Sequence, residues 1–348
     1  MTNTASAQPA PSAPGAEPTE GPNSTEGPNS DQLSESGSGF CAGFEALCQN
    51  MGLVLRGKRQ QIELSVLTLL AGGHLLIEDV PGVGKTLLAK ALAASIEGSA
   101  KRVQFTPDLL PGDVIGVTIY ERKTGEFRFR QGAIFANVVL CDEINRASPK
   151  TQSALLEAME ERQATVDGVS HALPDPCMVL ATQNPIEHEG TYPLPESQLD
   201  RFLVRTSLGY PSRADELSIL DTHGDDRAMS ELRAVLSIDE VVKMIALAQD
   251  VYVAPALKGY LVDVVDATRR HNDVRLGASP RASLGLLRMV RARAASQGRE
   301  FVVPDDVQAL AEPVLAHRIL LHTERQADHQ ADLVAEALAS VPVPTRRS

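Results

Sequence analysis

The stretch from residue 74 to residue 98 constrains the fold of this chain more than any other. It contains a short apolar run, HLLIED, a loop with two glycines, and an Ala/Leu-rich run with helical spacing, KTLLAKALAASIEG. A glycine loop that leaves a strand and enters a helix can hold phosphate, because its backbone N–H groups and the helix N-terminus both attract anions. The stretch therefore predicts a layered α/β domain with a phosphate-binding loop.

The loop departs from the usual pattern at one position. The pattern is G-x-x-x-x-G-K-[ST], and Asp79 stands where its first glycine is expected. We expect Lys85 to reach the β- and γ-phosphates of ATP and the Thr86 hydroxyl to bind Mg²⁺. A glycine turn before an ordinary helix is the alternative. The predicted nucleotide-binding loop residues are Asp79, Val80, Pro81, Gly82, Val83, Gly84, Lys85, Thr86 and Leu87.

Four further apolar segments predict the remaining strands of the core. They cover residues 101–106, 135–143, 177–185 and 202–208, and helical patterns lie between them. The second of these segments, FANVVLCDE, is almost continuously apolar, as in a strand that is covered on both faces. Strands that alternate with helices indicate an α/β core with a five-stranded, mostly parallel sheet over residues 40–211.

The sequence changes character on both sides of this core. Residues 212–330 show helical spacing without a strand pattern and predict a small all-α domain. Residues 1–39 are rich in Pro, Gly, Ser, Thr and Glu and contain no Lys or Arg, so they cannot bury enough apolar area to fold. We predict a disordered N-terminal tail, with a docking tail as the alternative. Residues 331–348 are assigned to a C-terminal tail.

The composition limits the classes of partner. A formal net charge of −12 makes the chain a poor default ligand for nucleic acids or anionic membranes. No apolar run reaches the roughly 18 residues that a membrane span requires, and the N-terminus lacks the pattern of a signal peptide. The four cysteines fit no metal-binding spacing and favour a reducing compartment, so we expect a cytoplasmic protein.

Two acidic residues end the apolar strand in VVLCDE. We expect Asp142 to bind the nucleotide-associated Mg²⁺ together with Thr86, and Glu143 to orient or deprotonate the attacking water. A solvated strand end is the alternative for this pair taken alone. The position of the pair, after the phosphate loop and with another predicted strand between, favours the catalytic interpretation.

Three more polar residues complete the predicted site. Asn184 ends the next strand, in ATQNP, where ligands of parallel sheets bind, so its amide can face the γ-phosphate and the water. Arg201 and Arg281 are candidates to stabilise charge during phosphoryl transfer, a role that an arginine from a neighbouring subunit can fill. The alternatives are an Asn-Pro turn and two surface ion pairs.

Together these motifs resemble the MoxR family of AAA+ ATPases. The resemblance rests on EDVPGVGKT, FTPDLLPGDVIG, GEFRFRQGAIFANVVLCDEINRASPKTQSALLEAMEE, LATQNPIEHEGTYPLPESQLDRF and GASPRA. These motifs span roughly residues 45–285, and the helical part extends the match to about residue 325. The family implies an AAA+ P-loop NTPase core followed by a helical lid. Its members commonly carry an acidic residue or another substitution upstream of Pro-Gly-x-Gly-Lys-Thr, as Asp79 does here.

The resemblance also implies roles for single residues. Lys85 and Thr86 would belong to the motif called Walker A, and Asp142 and Glu143 to Walker B. Asn184 would be the residue called sensor 1. Arg201 matches the arginine finger, which acts in the site of the next subunit. Arg281 matches sensor 2, which reaches from the lid to the nucleotide of the same subunit.

At the level of assembly, the resemblance implies a ring oligomer, usually a hexamer. Family members act as chaperone-like motors that mature or activate a client protein, often with a partner that carries a von Willebrand factor A domain. Residues 105–132 resemble the helix-2 insert, and residues 164–174 resemble the hairpin before sensor 1. Both inserts would face the pore or the partner side of the ring.

Two other functions stay open from the sequence. A nucleic-acid motor would need basic loops, and the helix-2 insert mixes acidic and basic residues, namely Glu121, Arg122, Lys123, Glu126, Arg128 and Arg130. A non-catalytic module, in which ATP only controls assembly, conflicts with the presence of Glu143, Asn184 and Arg201. GTP is disfavoured because the chain contains no N-K-x-D motif for reading guanine.

Overall fold

The computed structural model describes residues 1, 30–80, 82–184, 191–221, 229–322 and 327–344, so residues 2–29 of the predicted tail lie outside the described residues. Within those ranges the helices are α1 Ser30–Gly52, α2 Arg59–Leu70, α3 Lys85–Ser95, α4 Pro111–Ile115, α5 Pro149–Glu161, α6 Glu196–Leu199, α7 Arg213–Asp221, α8 Ile238–Asp250, α9 Pro255–Arg270, α10 Pro280–Ser296, α11 Pro304–Leu315 and α12 Ala327–Ser340. The strands are β1 Leu75–Glu78, β2 Ala100–Gln104, β3 Gly116–Glu121, β4 Glu126–Gln131, β5 Val138–Asp142, β6 Gln163–Val166, β7 Val169–Ala172, β8 Met178–Gln183, β9 Val204–Thr206, β10 Val274–Leu276 and β11 Leu320–Leu321.

The core is a five-stranded sheet in the order β2-β5-β8-β1-β9, in which every neighbouring pair is parallel. Each strand overlaps one of the segments predicted from the sequence, so the α/β fold with a five-stranded parallel sheet is confirmed. The order places β8 between β5 and β1. The carboxyl ends of these three strands therefore lie side by side at one end of the sheet, which we call the carboxyl end; the opposite end is the amino end.

Alternate side chains of the central strands enter two separate hydrophobic cores. On β1, Leu75 and Ile77 belong to one core, which we call the first hydrophobic core, and Leu76 belongs to the second; all three are fully buried. Strands β5 and β8 divide their side chains in the same way, as the two-residue period of a strand requires. Because both faces of the sheet are covered, these strands read as nearly continuous apolar runs in the sequence.

The helical lid follows the core and packs against its N-terminal helices. Helix α10 contacts both α1 and α2, and the lid helices share the first hydrophobic core with them. Helix α8 begins with a capping box, in which the Ser237 hydroxyl accepts from the Glu240 amide at 3.3 Å and the Glu240 carboxylate accepts from the Ser237 amide at 2.7 Å. Within the described ranges, no helix combines the length and the hydropathy needed to cross a membrane.

The structure corrects the predicted ends of the chain. Helix α12 occupies residues 331–340, which we had assigned to a C-terminal tail, and it buries Leu333, Val334 and Ala337. This segment is helical because its apolar side packs on α9 and α11. Helix α1 begins at Ser30, inside the segment predicted to be disordered. The lid also contains the antiparallel pair β10–β11, whose strands of three and two residues are too short to give a sequence pattern.

Two antiparallel hairpins lie side by side on the core. Strands β3 and β4 form the first within residues 105–132, and β6 and β7 form the second within residues 164–174. The hairpins contact each other where the ring of Phe129 stacks on His171, with ring centroids 3.7 Å apart. Both predicted inserts are therefore hairpin structures that share one surface.

Candidate functional site

The phosphate loop connects β1 to α3 at the carboxyl end of the sheet. Gly82 and Gly84 have φ values of 83° and 98°, in a region where residues with side chains are strained. Gly84 is the N-cap of α3, so the unpaired amides of that helix begin at the loop. The Lys85 ammonium group donates a hydrogen bond of 2.6 Å to the carbonyl oxygen of Asp79. The loop thus has the backbone and the charge that a phosphate requires.

The other predicted loop residues hold the loop in place. The carboxylate of Asp79 accepts hydrogen bonds from the Val80 amide and from residues 207–209. Val83 and Leu87 pack partly buried against the first hydrophobic core. Pro81, which was also predicted to bind nucleotide, lies outside the described residues.

The carboxylate of Asp142 lies beside the phosphate loop at the end of β5. The Thr86 hydroxyl is 3.5 Å from Asp142 Oδ2, and the Thr182 hydroxyl donates to Asp142 Oδ1 at 3.3 Å. Arg102 from β2 donates to Asp142 Oδ2 at 2.7 Å. The side chain of Asp142 is only 8% exposed, so this carboxylate is held in one position by partners from three elements.

Glu143 follows in a conformation that is rare for a residue with a side chain. Its φ is 57° and its ψ is 51°, and its amide donates to the Thr182 hydroxyl at 3.0 Å. Its carboxylate accepts from Gln104 on β2 at 2.8 Å and from Arg146 at 3.0 Å. Left-handed backbone at a residue other than glycine is often found at functional sites, because the surrounding structure must hold it there.

Asn184 lies at the end of β8, between the strands that carry the phosphate loop and the acidic pair. It is 6% exposed, and its carbonyl oxygen accepts from the Asn145 side-chain amide at 3.5 Å. The parallel pairing of β8 with β1 and β5 therefore brings Asn184, Thr86 and Asp142 to the same end of the sheet.

This end of the sheet fits Mg²⁺ and the phosphates of ATP. Thr86 and Asp142 offer a hydroxyl and a carboxylate, the hard oxygen ligands that Mg²⁺ prefers alongside water and phosphate. Asp142 already has a guanidinium partner in Arg102, so the position is built to face positive charge. Lys85 and the amides of the phosphate loop would hold the phosphates.

The two predicted arginines meet on a different surface. Arg201 Nε lies 2.9 Å from Glu160 Oε2, and Arg281 forms an ion pair with the same carboxylate. Arg281 Nε also lies 3.9 Å from Asp200 Oδ2, and Arg318 Nε lies 3.1 Å from Asp200 Oδ1. Although Arg201 and Arg281 are far apart in the sequence, the lid brings them to one pair of acids.

This arginine surface is at the amino end of the sheet. Arg162 and Arg288 both donate to the carbonyl oxygen of Gly72, at 3.0 and 3.4 Å, just before β1 begins. The phosphate loop leaves the other end of the same strand. A full strand, about 13 Å at the usual rise per residue, separates the arginine surface from the phosphate loop of the same chain. The expectation that Arg281 reaches the nucleotide of its own chain stays a prediction.

The amino end carries an excess of positive charge. A cavity of about 160 Å³ there is lined by two acids and five arginines, namely Glu160, Asp200, Arg162, Arg201, Arg281, Arg288 and Arg318. The pKa of Arg318 is lowered to about 10, mainly by burial; Asp200 opposes the shift, and the neighbouring Arg288 and Arg281 add to it. Burial also lowers the pKa of Arg288. An anionic group that reached this surface would meet arginines that their own acids only partly neutralise.

Sequence reasoning missed the residues that hold the site residues in place. Arg102 and Gln104 stand two apart on β2, and this spacing puts both side chains on one face of the strand. That signal was present in KRVQ, but the sequence did not show that β2 pairs with β5. Glu160 and Asp200 gave no signal, because acids beside Arg or at a helix end are common on any surface.

Comparison with protein families and curated proteins agrees with this arrangement. Residues 74–204 match the family described as ATPase family associated with various cellular activities (AAA), and residues 266–337 match the AAA lid domain. The chain is 42% identical over 302 residues to Chaperone MoxR1 of Mycobacterium tuberculosis, covering 84% of this chain and 80% of that protein. It is 32% identical over 315 residues to Protein MoxR of Methylorubrum extorquens, covering 83% and 91%.

Two further similarities extend over nearly the whole described chain. An uncharacterized protein of Bacillus subtilis, YeaC, is 50% identical over 302 residues, covering 86% of this chain and 94% of that protein. The crystal structure of a protein from Cytophaga hutchinsonii superposes with a TM-score of 0.83 at 34% identity, covering 90% of this chain and 99% of the other. Core and lid are therefore shared in order and in arrangement.

Proposed function

The chain belongs to the MoxR family of AAA+ ATPases, and from this we propose that it hydrolyses Mg²⁺-bound ATP to ADP and phosphate at sites completed by neighbouring subunits of a ring. The observation that carries the proposal is the meeting of Thr86, Asp142 and Glu143 at the carboxyl end of the sheet, with Thr86 Oγ1 3.5 Å from Asp142 Oδ2. This proximity places a hydroxyl and carboxylate oxygens beside the phosphate loop, where a cation bound to phosphate would lie.

In this proposal each residue has a limited task. Lys85 neutralises phosphate charge, and Thr86 and Asp142 hold Mg²⁺, which supplies positive charge to the phosphates. Glu143 orients and deprotonates the attacking water, which requires that its carboxylate leave Gln104 and Arg146. The Asn184 amide positions the same water and the γ-phosphate.

The arginines are proposed to serve the next subunit. Arg201 and Arg281 lie at the amino end of the sheet, on the surface with excess positive charge, and their own nucleotide loop lies at the opposite end. If the amino end of one chain packs against the carboxyl end of the next, both arginines face the neighbour's phosphates. A contact between two different surfaces closes into a ring when its rotation allows, and a hexamer is the ring that we propose.

We propose that this ATPase acts on a client protein. A homologous protein is named a chaperone, and the first hairpin exposes apolar side chains, as a surface that grips a polypeptide would. These exposed residues are Val117, Ile119, Tyr120 and Phe127. A client or partner with a von Willebrand factor A domain, acting with this protein in the cytoplasm, is the form of the proposal that the family favours.

A nucleic-acid motor is the second candidate, because the same hairpin carries basic residues. Arg128 pairs with Glu121 at 3.1 Å, so part of that charge is neutralised within the hairpin. DNA that stimulates ATP turnover and binds less tightly as salt rises would support this candidate over a protein client.

The test is a turnover and assembly assay on the full chain. The wild type is expected to bind ATP more tightly than GTP, release phosphate only with Mg²⁺, and form a ring with ATP. Glu143→Gln should still bind ATP and assemble, but should lose at least about 100-fold in turnover. Glu157→Gln, an exposed carboxylate on α5, is the matched control and should behave as the wild type. Normal turnover by Glu143→Gln would remove that residue from the chemistry.

A further inference from the structure

The residue that breaks the loop pattern has an extensive set of contacts. Asp79 is 8% exposed. Its Oδ2 accepts from the amides of Leu208 and Gly209, both at 2.7 Å, and from the Ser207 hydroxyl at 3.0 Å. Its Oδ1 accepts from the Val80 amide at 2.8 Å. A glycine at this position could make none of these four hydrogen bonds.

Three of the four partners of Asp79 lie in the connector, which we define as residues 207–212, between β9 and α7. This segment links the last strand of the core to the chain that leads into the lid. Lys58 Nζ holds it from the other side, by donating to the carbonyl oxygens of Gly209 at 3.1 Å and Tyr210 at 2.9 Å. The connector is therefore clamped between the N-terminal helices and the phosphate loop.

Asp79 also contacts the nucleotide-binding lysine. Its carbonyl oxygen accepts the hydrogen bond from Lys85 Nζ at 2.6 Å. One residue thus joins the group that would bind phosphate to the segment that leads into the lid. Movement of Lys85 toward a phosphate would remove the bond at the backbone of Asp79, while the carboxylate would keep its hold on the connector.

The preceding residue makes a parallel link to the lid. Glu78 Oε2 lies 3.1 Å from Arg205 Nη1, and Arg205 Nη2 donates to Gln330 at 2.9 Å. Gln330 lies on α12 and donates to the carbonyl oxygen of Ile319 at 2.7 Å. Two consecutive acids at the end of β1 are therefore connected to the lid through separate sets of side chains.

We propose that Asp79 is a positioning residue that couples the phosphate loop to the connector, so that nucleotide binding and the state of the lid influence each other. The inference rests on the proposed ATP site and adds to it a route by which the site acts on the lid. Such coupling is reciprocal: a nucleotide that changes the connector must be bound differently when the connector is altered. Removal of the carboxylate leaves the buried amide of Leu208 and the partly buried amide of Gly209 without this acceptor.

The experiment compares Asp79→Asn and Asp79→Gly with the wild type in the full chain. The first keeps the shape but turns an NH₂ group toward donors, and the second restores the usual loop residue. Both should still bind ATP, because Lys85, Thr86 and the loop amides remain, and the lost coupling should change the ATP affinity by no more than about five-fold. Both should lose about ten-fold or more in kcat with little change in KM, which marks a role after binding.

Hydrogen exchange of a connector peptide supplies the second readout. In the wild type, ADP or ATP should change the exchange of the Leu208 and Gly209 amides, and in both Asp79 variants this response should disappear. Ser212→Ala is the matched control, since that hydroxyl contacts Asp215 and not Asp79. It should keep both the response and the kcat of the wild type.

The outcomes distinguish a failure of the proposed ATP site from a failure of the coupling through Asp79. A wild type that binds no ATP would remove the proposed function itself. A wild type that turns over ATP, with Asp79 variants that keep its kcat and its connector response, would overturn the coupling alone. If both Asp79 variants fail to fold, Ser207→Ala decides, because it removes one of the four donors. It should weaken the connector response partly, and an unchanged response would equally overturn the coupling.

Discussion

The two ends of the central sheet present different charged groups, and the groups at each end are partly paired within the chain. At the carboxyl end, Asp142 and Glu143 are held by Arg102 and Arg146. At the amino end, Arg201 and Arg281 share the carboxylate of Glu160. The carboxyl end offers oxygen ligands to a cation, whereas the amino end offers guanidinium groups to an anion.

In the proposed function, one chain carries both halves of a phosphoryl-transfer site at opposite ends of the sheet and cannot join them. The length of β1 separates the halves, and the lid fixes Arg281 beside Arg201, so no small rearrangement of side chains brings either arginine to the phosphate loop. Two chains in head-to-tail contact would bring the halves together.

Rings that contain two different variants test directly whether the phosphate loop and the arginines of one site come from two neighbouring subunits. Arg201→Ala and Lys85→Ala should each lower turnover by about 1,000-fold or more, because one removes charge stabilisation and the other phosphate binding. Co-expressed in equal amounts, they should regain activity, since about a quarter of the interfaces would pair an intact loop with an intact arginine. Phosphate release by the purified mixed rings measures the recovery.

The control mixes Arg201→Ala with the double variant Arg201→Ala, Glu143→Gln. This mixture should regain no activity, because every interface lacks the arginine. Native mass spectrometry establishes that both chains enter one ring. Mixed rings of Arg201→Ala and Lys85→Ala that stay inactive would contradict the shared site, as would full activity of a single isolated subunit.

The variant Arg281→Ala tests whether this arginine acts on the nucleotide of its own chain or on that of the neighbouring subunit. We expect a loss of about 10- to 100-fold in kcat with ATP affinity little changed, since the arginine would act on charge that develops in a neighbour's site. In the mixing assay Arg281→Ala should complement Lys85→Ala but not Arg201→Ala. The reverse result would mean that Arg281 serves the nucleotide of its own chain.

Arg102→Ala tests how the carboxyl end is held before a metal binds. The guanidinium lies 2.7 Å from Asp142 Oδ2 and competes electrostatically with a cation at that carboxylate. Its removal should lower the Mg²⁺ concentration that half-saturates nucleotide binding by about three- to ten-fold. Titration of Mg²⁺ with a fluorescent ATP analogue measures the change. Lys101→Ala is the control, because that neighbour bonds instead to Gly132.

We expect acid to lower the free energy of unfolding through a buried histidine at the amino end of the sheet. There His74 Nε2 donates to the Met159 carbonyl oxygen, and its Nδ1 accepts from the Val179 amide. Burial lowers the pKa of His74 to about 4. Between about pH 6.5 and that value the unfolded chain binds the proton and the folded chain does not, so stability is complete above this window and falls as pH decreases through it.

The size of this effect follows from the same shift. It corresponds to on the order of 3 kcal/mol over the whole window. His74→Gln should lose stability at pH 7 but show a smaller further loss between pH 7 and pH 5, measured by thermal unfolding. His317, which is also buried and whose pKa burial lowers well below its usual value, should supply part of the remaining slope. An unchanged slope in His74→Gln would exclude the histidine as the cause.

Much of the fold and half of the site could be predicted from the sequence. The strands were visible because burial on both faces demands apolar runs, and the phosphate loop because its glycines and Lys85 have a fixed spacing. The contacts of Asp142 and Glu143 with Arg102 and Gln104 could not be predicted, because they depend on which strands are neighbours. The position of Arg281 beside Arg201 could not be predicted either, because it depends on how the lid packs on the core.

By itself, the sequence determined the local chemistry of this protein: a strand, a loop that requires glycine at positive φ, a helix, and an acidic pair after a buried strand. Local spacing and apolar periodicity encode these features directly. Only the tertiary structure decided that Asp79 holds the connector and that Arg201 and Arg281 share Glu160. Those contacts join residues far apart in the chain: the pairing of β1 with β9 brings Asp79 to the connector, and the packing of the lid on the core brings Arg281 to Glu160.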